Sequence, residues 1–480
     1  MGDRPLSTTE KMAYGAGDLG PAIMANVLIF FLLFFLTNVA GLPPGLAGWI
    51  LAIAKISDAI NDPIIGVMSD RTQSRWGRRY PWMAIGAVPL GVAFFLQWWV
   101  PFQDDWALFV YYLIISVAFN LAYTAVNLPY TALAPQLTED YNERTRLNSY
   151  RFAFSIGGSI GSLILAQVIF AQVADPMTRY LLLGAICSLL SIIPVYLCIW
   201  GTFRRGMVGE RSLDARQETE PSQPVAAQVK MALKNRPFLF VIGIYLCSWL
   251  AAQLTASILP YFVTSWMGLP EAEFPKMALA VQGTALVMLF VWSRLSERLG
   301  KQGVFFAGAS LWVVAQAGLF LLQPGQVGLM YALAVLAGCG VATAYLVPWS
   351  MLPDTIDLDE LNTGQRREGM FCAFMVFLQK LGIALSLWLV SQAIEWAGYI
   401  ESKPGMPVPV QPDSALWAIR ISVGPLPTLV LMVGVFLAVK YPITKAIHGE
   451  ILLKLSERRS RPDSVSSSDV AEISPDQPER

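Results

Sequence analysis

Apolar residues run along this chain in blocks of roughly 18 to 25 with short polar breaks between them, the length an α-helix needs to cross a hydrocarbon layer. About twelve such blocks can be counted, which predicts an all-α polytopic membrane protein with about twelve transmembrane helices. The first block follows a polar stretch, MGDRPLSTTEKMAYGAGDLG. It is too long for the h-region of a signal peptide and reads as the first span. The longest internal polar stretch, Phe203 to Asn235, divides the blocks six and six and reads as a linker. After Ile443 the chain becomes too polar to pack. The expected organisation is therefore a six-helix half over 1–202, a cytoplasmic linker over 203–235, a second six-helix half over 236–443 and a disordered cytoplasmic tail over 444–480.

Composition agrees with that pattern. Of 480 residues, 55% are hydrophobic and 14% charged, with a mean hydropathy of +0.51; soluble domains sit near one quarter charged. The formal net charge is zero, but topology follows the distribution of Lys and Arg. With the N-terminus inside, the inner loops carry Arg71, Arg75, Arg78 and Arg79, then Arg144 and Arg146, then the basic residues of the linker, then Arg294, Arg298 and Lys301, then Arg366 and Arg367. The outer loops carry Arg179, Lys276 and Lys403. Both termini are expected in the cytoplasm and the chain in a plasma (inner) membrane. The five cysteines fall within apolar blocks without metal-type spacing and read as packing residues. The single histidine, His448, lies beyond the last span, which leaves carboxylates as the side chains able to carry a coupled proton. No Gly-x-Ser-x-Gly context, His-rich metal cluster or nucleotide-binding loop is present, so the sequence points away from an enzyme or an ATP-driven pump.

The two halves repeat one unit. AYTAVNLPYTALAPQLTED (Ala122 to Asp140) and ATAYLVPWSMLPDTIDLDE (Ala342 to Glu360) each carry two prolines followed by acids, and MSDRTQSRWGRR after the second block has a weaker counterpart in LSERLGKQ after the eighth. Repeats of this kind build a central site between halves that rock about it. Two six-span halves with a basic Asp-Arg…Gly-Arg-Arg loop resemble the major facilitator superfamily.

The second block carries the chemistry. In a helix Lys55, Asp58 and Asp62 fall within an arc of roughly 60° and form one polar stripe. Each charge at mid-bilayer costs about 2.5–3.5 kcal/mol, so three unpaired ones would cost on the order of 7–10 kcal/mol. The stripe must face the bundle interior and find partners. Lys55 neutralises one carboxylate and leaves an oxygen-rich site suited to a small hard cation; a purely structural Lys55 to Asp58 pair, with Asp62 near the Pro63 kink, is the bland alternative. Aligning Asp70-Arg71 with Glu297-Arg298 sets Ala285 and Leu289 opposite Asp58 and Asp62, so the second half keeps neither acid.

DAINDPIIG followed by QSRWGRRYPW, together with YTAVNLPY, SYRFAFSIGG and FLQKLG, resembles the melibiose-permease-like glycoside/pentoside/hexuronide:cation symporters. The resemblance implies a secondary symporter importing a sugar or sugar derivative with Na⁺ or H⁺ and no other cofactor. It implies cation binding at Asp58, Asp62, Asn61 and Thr124, and solute binding between helices I, IV, V and XI, with Tyr123, Asn127, Arg151 and Lys380 as matched positions. Trp349, Gln253 and Tyr261 lie in spans able to line the cavity. Departures fall at the sugar positions: Pro21 and Ala22 on helix I, Asn127 and Thr131 on helix IV, Met375 and Val376 on helix XI. Losing polar groups that a sugar satisfies changes the substrate; an anionic amphiphile such as a lysophospholipid, held by Arg151 and Lys380, is the second reading, and a non-transporting membrane sensor the third. Arg151 and Lys380 are alternatively expected to pair with Asp58 and Asp62 in one conformational state. Asp70, Arg71, Arg78 and Arg79, with Lys55, are expected to act in charge pairing and gating. Trp98 and Trp99 read as interfacial anchors, and Gly157, Gly158 and Gly161 as a helix-packing face. Expected partners are a small-molecule solute and the lipid bilayer, with no nucleic acid, and the protein is expected to be a monomer.

Overall fold

The computed structural model describes residues 6–138, 140–214, 235–365, 367–402 and 409–460. The linker residues 215–234, Arg366, Lys403 and the tail beyond 460 lie outside the described residues.

Twelve helices cross the bundle. They are α1 (Thr8–Asn38), α2 (Pro44–Arg71), α3 (Tyr80–Leu96), α4 (Asp105–Thr131), α5 (Tyr141–Gln172) and α6 (Pro176–Asp214) in the first half. The second half holds α7 (Arg236–Tyr261), α8 and α9 (273–299 and 301–321), α10 (Val327–Thr363), α11 (Glu368–Trp396) and α12 (Asp413–Val439). Gly300, at φ 72°, takes the left-handed turn that separates α8 from α9. Among the described residues nine stretches are long and apolar enough to span a membrane. The stretch Glu273–Leu321 holds two of the twelve helices, while the shorter α3 and the charge-bearing α2 complete the set.

α1 starts earlier than the apolar pattern alone suggests, because Ser7 and Glu10 close a reciprocal capping box: Ser7 Oγ accepts from the Glu10 N–H and Glu10 Oε2 from the Ser7 N–H. Residues 8–20, read from the sequence as a polar lead-in, are therefore mostly helix, and Asp18 lies buried within the bundle. At the other end of the first half, α6 continues to Asp214, past position 203 where the linker was expected to begin. Residues 445–460, assigned to a disordered tail, form a helix α13 (Lys445–Ser460). Ile451 and Leu455, four apart, are buried on one of its faces, and His448 Nε2 lies 3.2 Å from Asp357 and 3.4 Å from Asp354 of α10.

The halves meet along α2 with α11 and along α5 with the α8–α9 hairpin. The end of the bundle away from Thr8 and Val439, called distal below, is sewn together across the halves. Tyr261 of α7 shares a hydrogen bond with Thr37 at 2.6 Å and donates to the Leu33 carbonyl of α1. Tyr399 donates to Asn38 at 2.8 Å, Gln392 to the Gly45 carbonyl, and the Gly45 N–H to Glu395. Arg179 pairs with Glu271 at 3.0 Å. α1 and α7, the lead helices of the two halves, each open into one π-turn, Leu28–Leu32 and Phe262–Trp266. Such turns recur at functional positions in helices.

Two sequence readings are corrected here. Trp98 is fully buried, stacked at 5.6 Å on Tyr180, and belongs to the core, while Trp99 is exposed. Of the helix-V glycines only Gly158 packs, against Leu19 and Ile23; Gly157 and Gly161 face open space.

Close approach of α1 to α6 depends on Gly20, where an added Cβ would lie 2.7 Å from both Cα and O of Ser191. Backbone cannot swing aside as a side chain does, so Gly20→Ala is expected to destabilise by about 1–3 kcal/mol, the range for overpacking. Thermal melting of the detergent-solubilised protein checks this.

Candidate functional site

α2 supplies the stripe. Asp58 stands about 21 Å along its helix from Pro44, near mid-span, and is buried; Asp62 is half-buried one turn on. Lys55 approaches Asp58 Oδ2 at 3.6 Å and donates to Asn120 Oδ1 of α4 at 3.3 Å. Asn120 in turn donates to the Ala54 carbonyl, tying α4 to α2 at this level. From α4, the Thr124 hydroxyl lies 3.1 Å from Asp58 Oδ1 and 3.0 Å from Asp62 Oδ1. Its one hydrogen serves one carboxylate at a time.

The fourth member comes from the other half. Lys380 of α11 places its ammonium 2.6 Å from Asp62 Oδ2 and 3.0 Å from Asp58 Oδ1. Two carboxylates and two ammonium groups cancel, so the cluster is formally neutral. Neutrality answers the desolvation problem, since an unpaired charge here is costly and a network of mutually satisfied ones is tolerated. The ammonium bridges the two acids as a small cation would.

The remaining predicted residues divide. Asn61 Nδ2 donates to Ser57 Oγ at 3.3 Å rather than to either carboxylate. Arg151 does not join Asp58 and Asp62: its Nε donates to Asp18 of α1 at 3.1 Å, and its guanidinium lies over the Tyr130 ring at 5.7 Å. Asp18 is the residue that sequence reasoning missed; a lone acid in the charge-poor stretch AYGAGDLGPAIMAN was the available signal. Tyr123 is half-buried against Phe119, and the Asn127 Oδ1 is buried without a hydrogen-bond partner. Trp349 packs edge-on against Tyr245 and is partly exposed. Tyr261, in a span able to line the cavity, is held in the distal seal. In the α2–α3 loop Arg79 comes within 4.0 Å of an exposed Asp70, a contact of small energetic weight. Arg71 is exposed and Arg78 half-buried.

Gln253 lines a separate cavity of about 120 Å³ bounded by α1, α7, α8, α9 and α10. One of its walls joins the halves, because Gln282 of α8 donates to Asn26 of α1 at 2.7 Å.

Comparison with known proteins fits this geometry. An uncharacterized symporter of Synechocystis sp., sll1374, is 52% identical, covering 95% of this chain and 97% of that protein. Sodium-dependent lysophosphatidylcholine symporter 1-A of Danio rerio is 26% identical, covering 92% of this chain and 86% of its own. Among solved structures, the nucleoside transporter NupG superposes with a TM-score of 0.62 at 12% identity over 94% of this chain and 99% of that one, which shows the shared fold. The model of the family described as MFS/sugar transport protein matches residues 13–445. The chain belongs to that family of multi-pass membrane transporters, with the MFS fold, and is a transporter rather than an enzyme.

Proposed function

We propose that this protein imports a sugar or sugar derivative together with Na⁺ or H⁺, and that the coupling cation exchanges with the Lys380 ammonium between Asp58 and Asp62. The observation that carries the reading is the position of Lys380: it bridges the two acids, and it belongs to the opposite half. A Na⁺ ion or proton taking its place leaves Asp58, Asp62 and Thr124 serving the cation on α2 and α4 and frees α11. The cross-half bond at this level then opens while the cation stays with the first half. Carboxylate and hydroxyl oxygens of Asp58, Asp62 and Thr124 border the vacated position, as a hard cation prefers, with the Lys55 ammonium 3.6 Å from Asp58. Asn61, whose Nδ2 is bonded to Ser57 in this conformation, keeps its Oδ1 as a further oxygen donor on α2.

In this reading both termini are cytoplasmic in the plasma (inner) membrane, so the distal seal closes the outer side and the conformation is inward-facing. Solute binds between the halves beside Tyr123, Asn127, Arg151, Lys380, Trp349 and Gln253. Asp70, Arg71, Arg78 and Arg79 shape the cytoplasmic end as the halves rock. A lysophospholipid is the second reading, supported by the name of the Danio rerio relative. Pairing of Arg151 with Asp18 counts against it, because a cation at Asp58 and Asp62 releases Lys380 but leaves Arg151 occupied.

Coupling requires that cation and solute each favour binding of the other. Thermal stability of the purified protein, measured with methyl glycosides, glucuronate and lysophosphatidylcholine, with and without Na⁺ at fixed ionic strength and at several pH values, tests it. The solute is expected to stabilise more in Na⁺ or on acidification; a ligand at a hundred times its Kd stabilises by about 2.7 kcal/mol. Solute stabilisation indifferent to both Na⁺ and pH would sink the coupled mechanism.

A further inference from the structure

Six charged side chains stand deep in the bundle on α1, α2, α5 and α11. They are Asp18, Lys55, Asp58, Asp62, Arg151 and Lys380, and every other charged residue described on these four helices lies within about two turns of a helix end. Asp18 and Arg151 stand about 15 Å along α1 and α5, and Lys380 about 18 Å along α11. Three carboxylates meet two ammonium groups and one guanidinium, so the middle of the bundle sums to zero. All six are paired: Arg151 with Asp18 at 3.1 Å, Lys380 with Asp62 at 2.6 Å and Asp58 at 3.0 Å, and Lys55 with Asp58 at 3.6 Å.

Admitting a cation changes that sum. With a Na⁺ ion or a proton between Asp58 and Asp62, the same region carries one positive charge in excess, and the excess sits on the displaced Lys380 ammonium. Nothing on its own helix replaces the lost partners: Val376, Phe377, Ile383 and Ala384, one turn to either side, are all apolar. Asp18 is the remaining deep acid on these helices, and Arg151 holds it. On insertion scales one uncompensated charge at mid-bilayer is disfavoured by about a hundredfold.

An incoming carboxylate removes the excess. Its oxygens accept from the ammonium in a charge-assisted hydrogen bond, the stronger class, and the sum returns to zero. An uncharged solute leaves the excess in place. A zwitterion with one charge of each sign, such as a lysophosphatidylcholine, does the same for the net charge, and a dianion overshoots by one. The charge count therefore singles out a monoanion.

We propose that the transported solute carries one negative charge, a carboxylate, which takes the Lys380 ammonium after the cation has displaced it, so that cation and solute cross as a neutral pair. This rests on the reading of the protein as a cation-coupled, sugar-type symporter and adds the charge of the solute: a sugar acid rather than a neutral glycoside. It also gives a physical reason why the cation does not cross alone. The empty and the doubly loaded protein are neutral at mid-bundle and free to rock, whereas the form holding only the cation has an unpaired ammonium that the halves do not close around.

The test uses the full-length protein, in detergent for affinity and in proteoliposomes for charge movement. Probes are matched acids and amides: glucuronate with glucuronamide, galacturonate with galacturonamide, and acetate with acetamide as the bare carboxylate fragment. Methyl glucoside and lysophosphatidylcholine are the uncharged and zwitterionic comparisons. Variants are Lys380→Gln, which deletes the charge, and Lys380→Arg, which keeps it; stabilisation by Na⁺ reports that each is folded. Affinities are read with and without Na⁺, at neutral and mildly acid pH. With the coupling cation present, an acid is expected to bind about tenfold or more tighter than its amide. That preference is expected to vanish in Lys380→Gln and to survive in Lys380→Arg, and uptake of the acid is expected to follow the cation gradient without net current. Equal affinity for acids and amides overturns the proposal, as does an acid preference that persists in Lys380→Gln, or binding of no acid in the panel. Cation-dependent binding of methyl glucoside, with a current on its uptake, overturns the charge assignment and leaves the coupled sugar reading standing. Binding of lysophosphatidylcholine alone overturns both, and acid binding indifferent to Na⁺ and pH overturns the coupled mechanism beneath them.

Discussion

Asp62→Asn is expected to weaken Na⁺ binding by about a hundredfold or more, and Lys380→Gln to strengthen it. Both follow from the charge of the cluster. Asp58, Asp62, Lys55 and Lys380 sum to zero, with Lys380 held 2.6 Å from Asp62 and 3.0 Å from Asp58. Removing the Asp62 charge leaves one carboxylate facing two ammonium groups, and an incoming cation meets a net positive site. One unit charge at about 4 Å is worth about 4 kcal/mol at an effective dielectric near 20, against about 2.7 kcal/mol for a hundredfold. Removing Lys380 instead leaves two acids with one ammonium, a net negative site from which no tethered competitor need be displaced. Uptake is nevertheless expected to fail in both variants, because the bond that the cation must exchange is missing. Calorimetric titration with NaCl against choline chloride at constant ionic strength reads the two affinities, and proteoliposome uptake of the solute identified by thermal stabilisation reads the coupling. Affinity changes of the same sign in the two variants would mean that the cluster only holds helices together.

What could be read from the sequence, and what could not, follows from how far apart the partners lie. The stripe of Lys55, Asp58 and Asp62 is a local pattern, legible because helical spacing brings the three onto one face. Lys380 was visible as a charge alone in an apolar span, but its partner Asp62 is 318 positions away, and nothing local records that distance. Arg151 shows the same limit with the opposite outcome. Its expected partners were the acids already noticed, whereas the structure supplies Asp18, an acid hidden in a segment read as too polar to be a span. That error was avoidable, since Ser7 and Glu10 spell a capping box ahead of it. Likewise Ile447, Ile451 and Leu455 stand four apart in a tail whose overall polarity concealed the helix. The cavity beside Gln253 was not legible, because its walls come from five helices that only the fold brings together.

The distal seal carries the other large effect. Arg179 is pinned by three groups: Nη1 pairs with Glu271 at 3.0 Å, Nε donates to the Val173 carbonyl at 2.6 Å and Nη2 to the Ala174 carbonyl at 2.7 Å. Glu271, in the loop before α8, has its carboxyl pushed above the usual glutamate range by burial, with Arg179 pulling it back down. Arg179→Ala removes that counterweight and leaves a largely buried carboxylate alone, at a cost of about 3 kcal/mol, the low end for breaking a buried pair. In a conformation with the distal end open, water hydrates Glu271 and most of that cost vanishes. The variant is therefore expected to shift the equilibrium toward the distally open state by about a hundredfold. The shift is read as faster maleimide labelling of Met267→Cys, a buried position in the seal, in a protein whose native cysteines are replaced. The pH dependence has a definite sign. A carboxyl whose pKa is raised in the closed state favours closure fully below its open-state value near 4.3, and that preference is lost as pH rises through the closed-state value. Labelling of the Arg179→Ala variant is thus expected to rise with pH through that window and to lose its pH dependence when Glu271→Gln is added. Labelling that stays at the native rate, or that falls as pH rises, would show that the pair does not hold the seal.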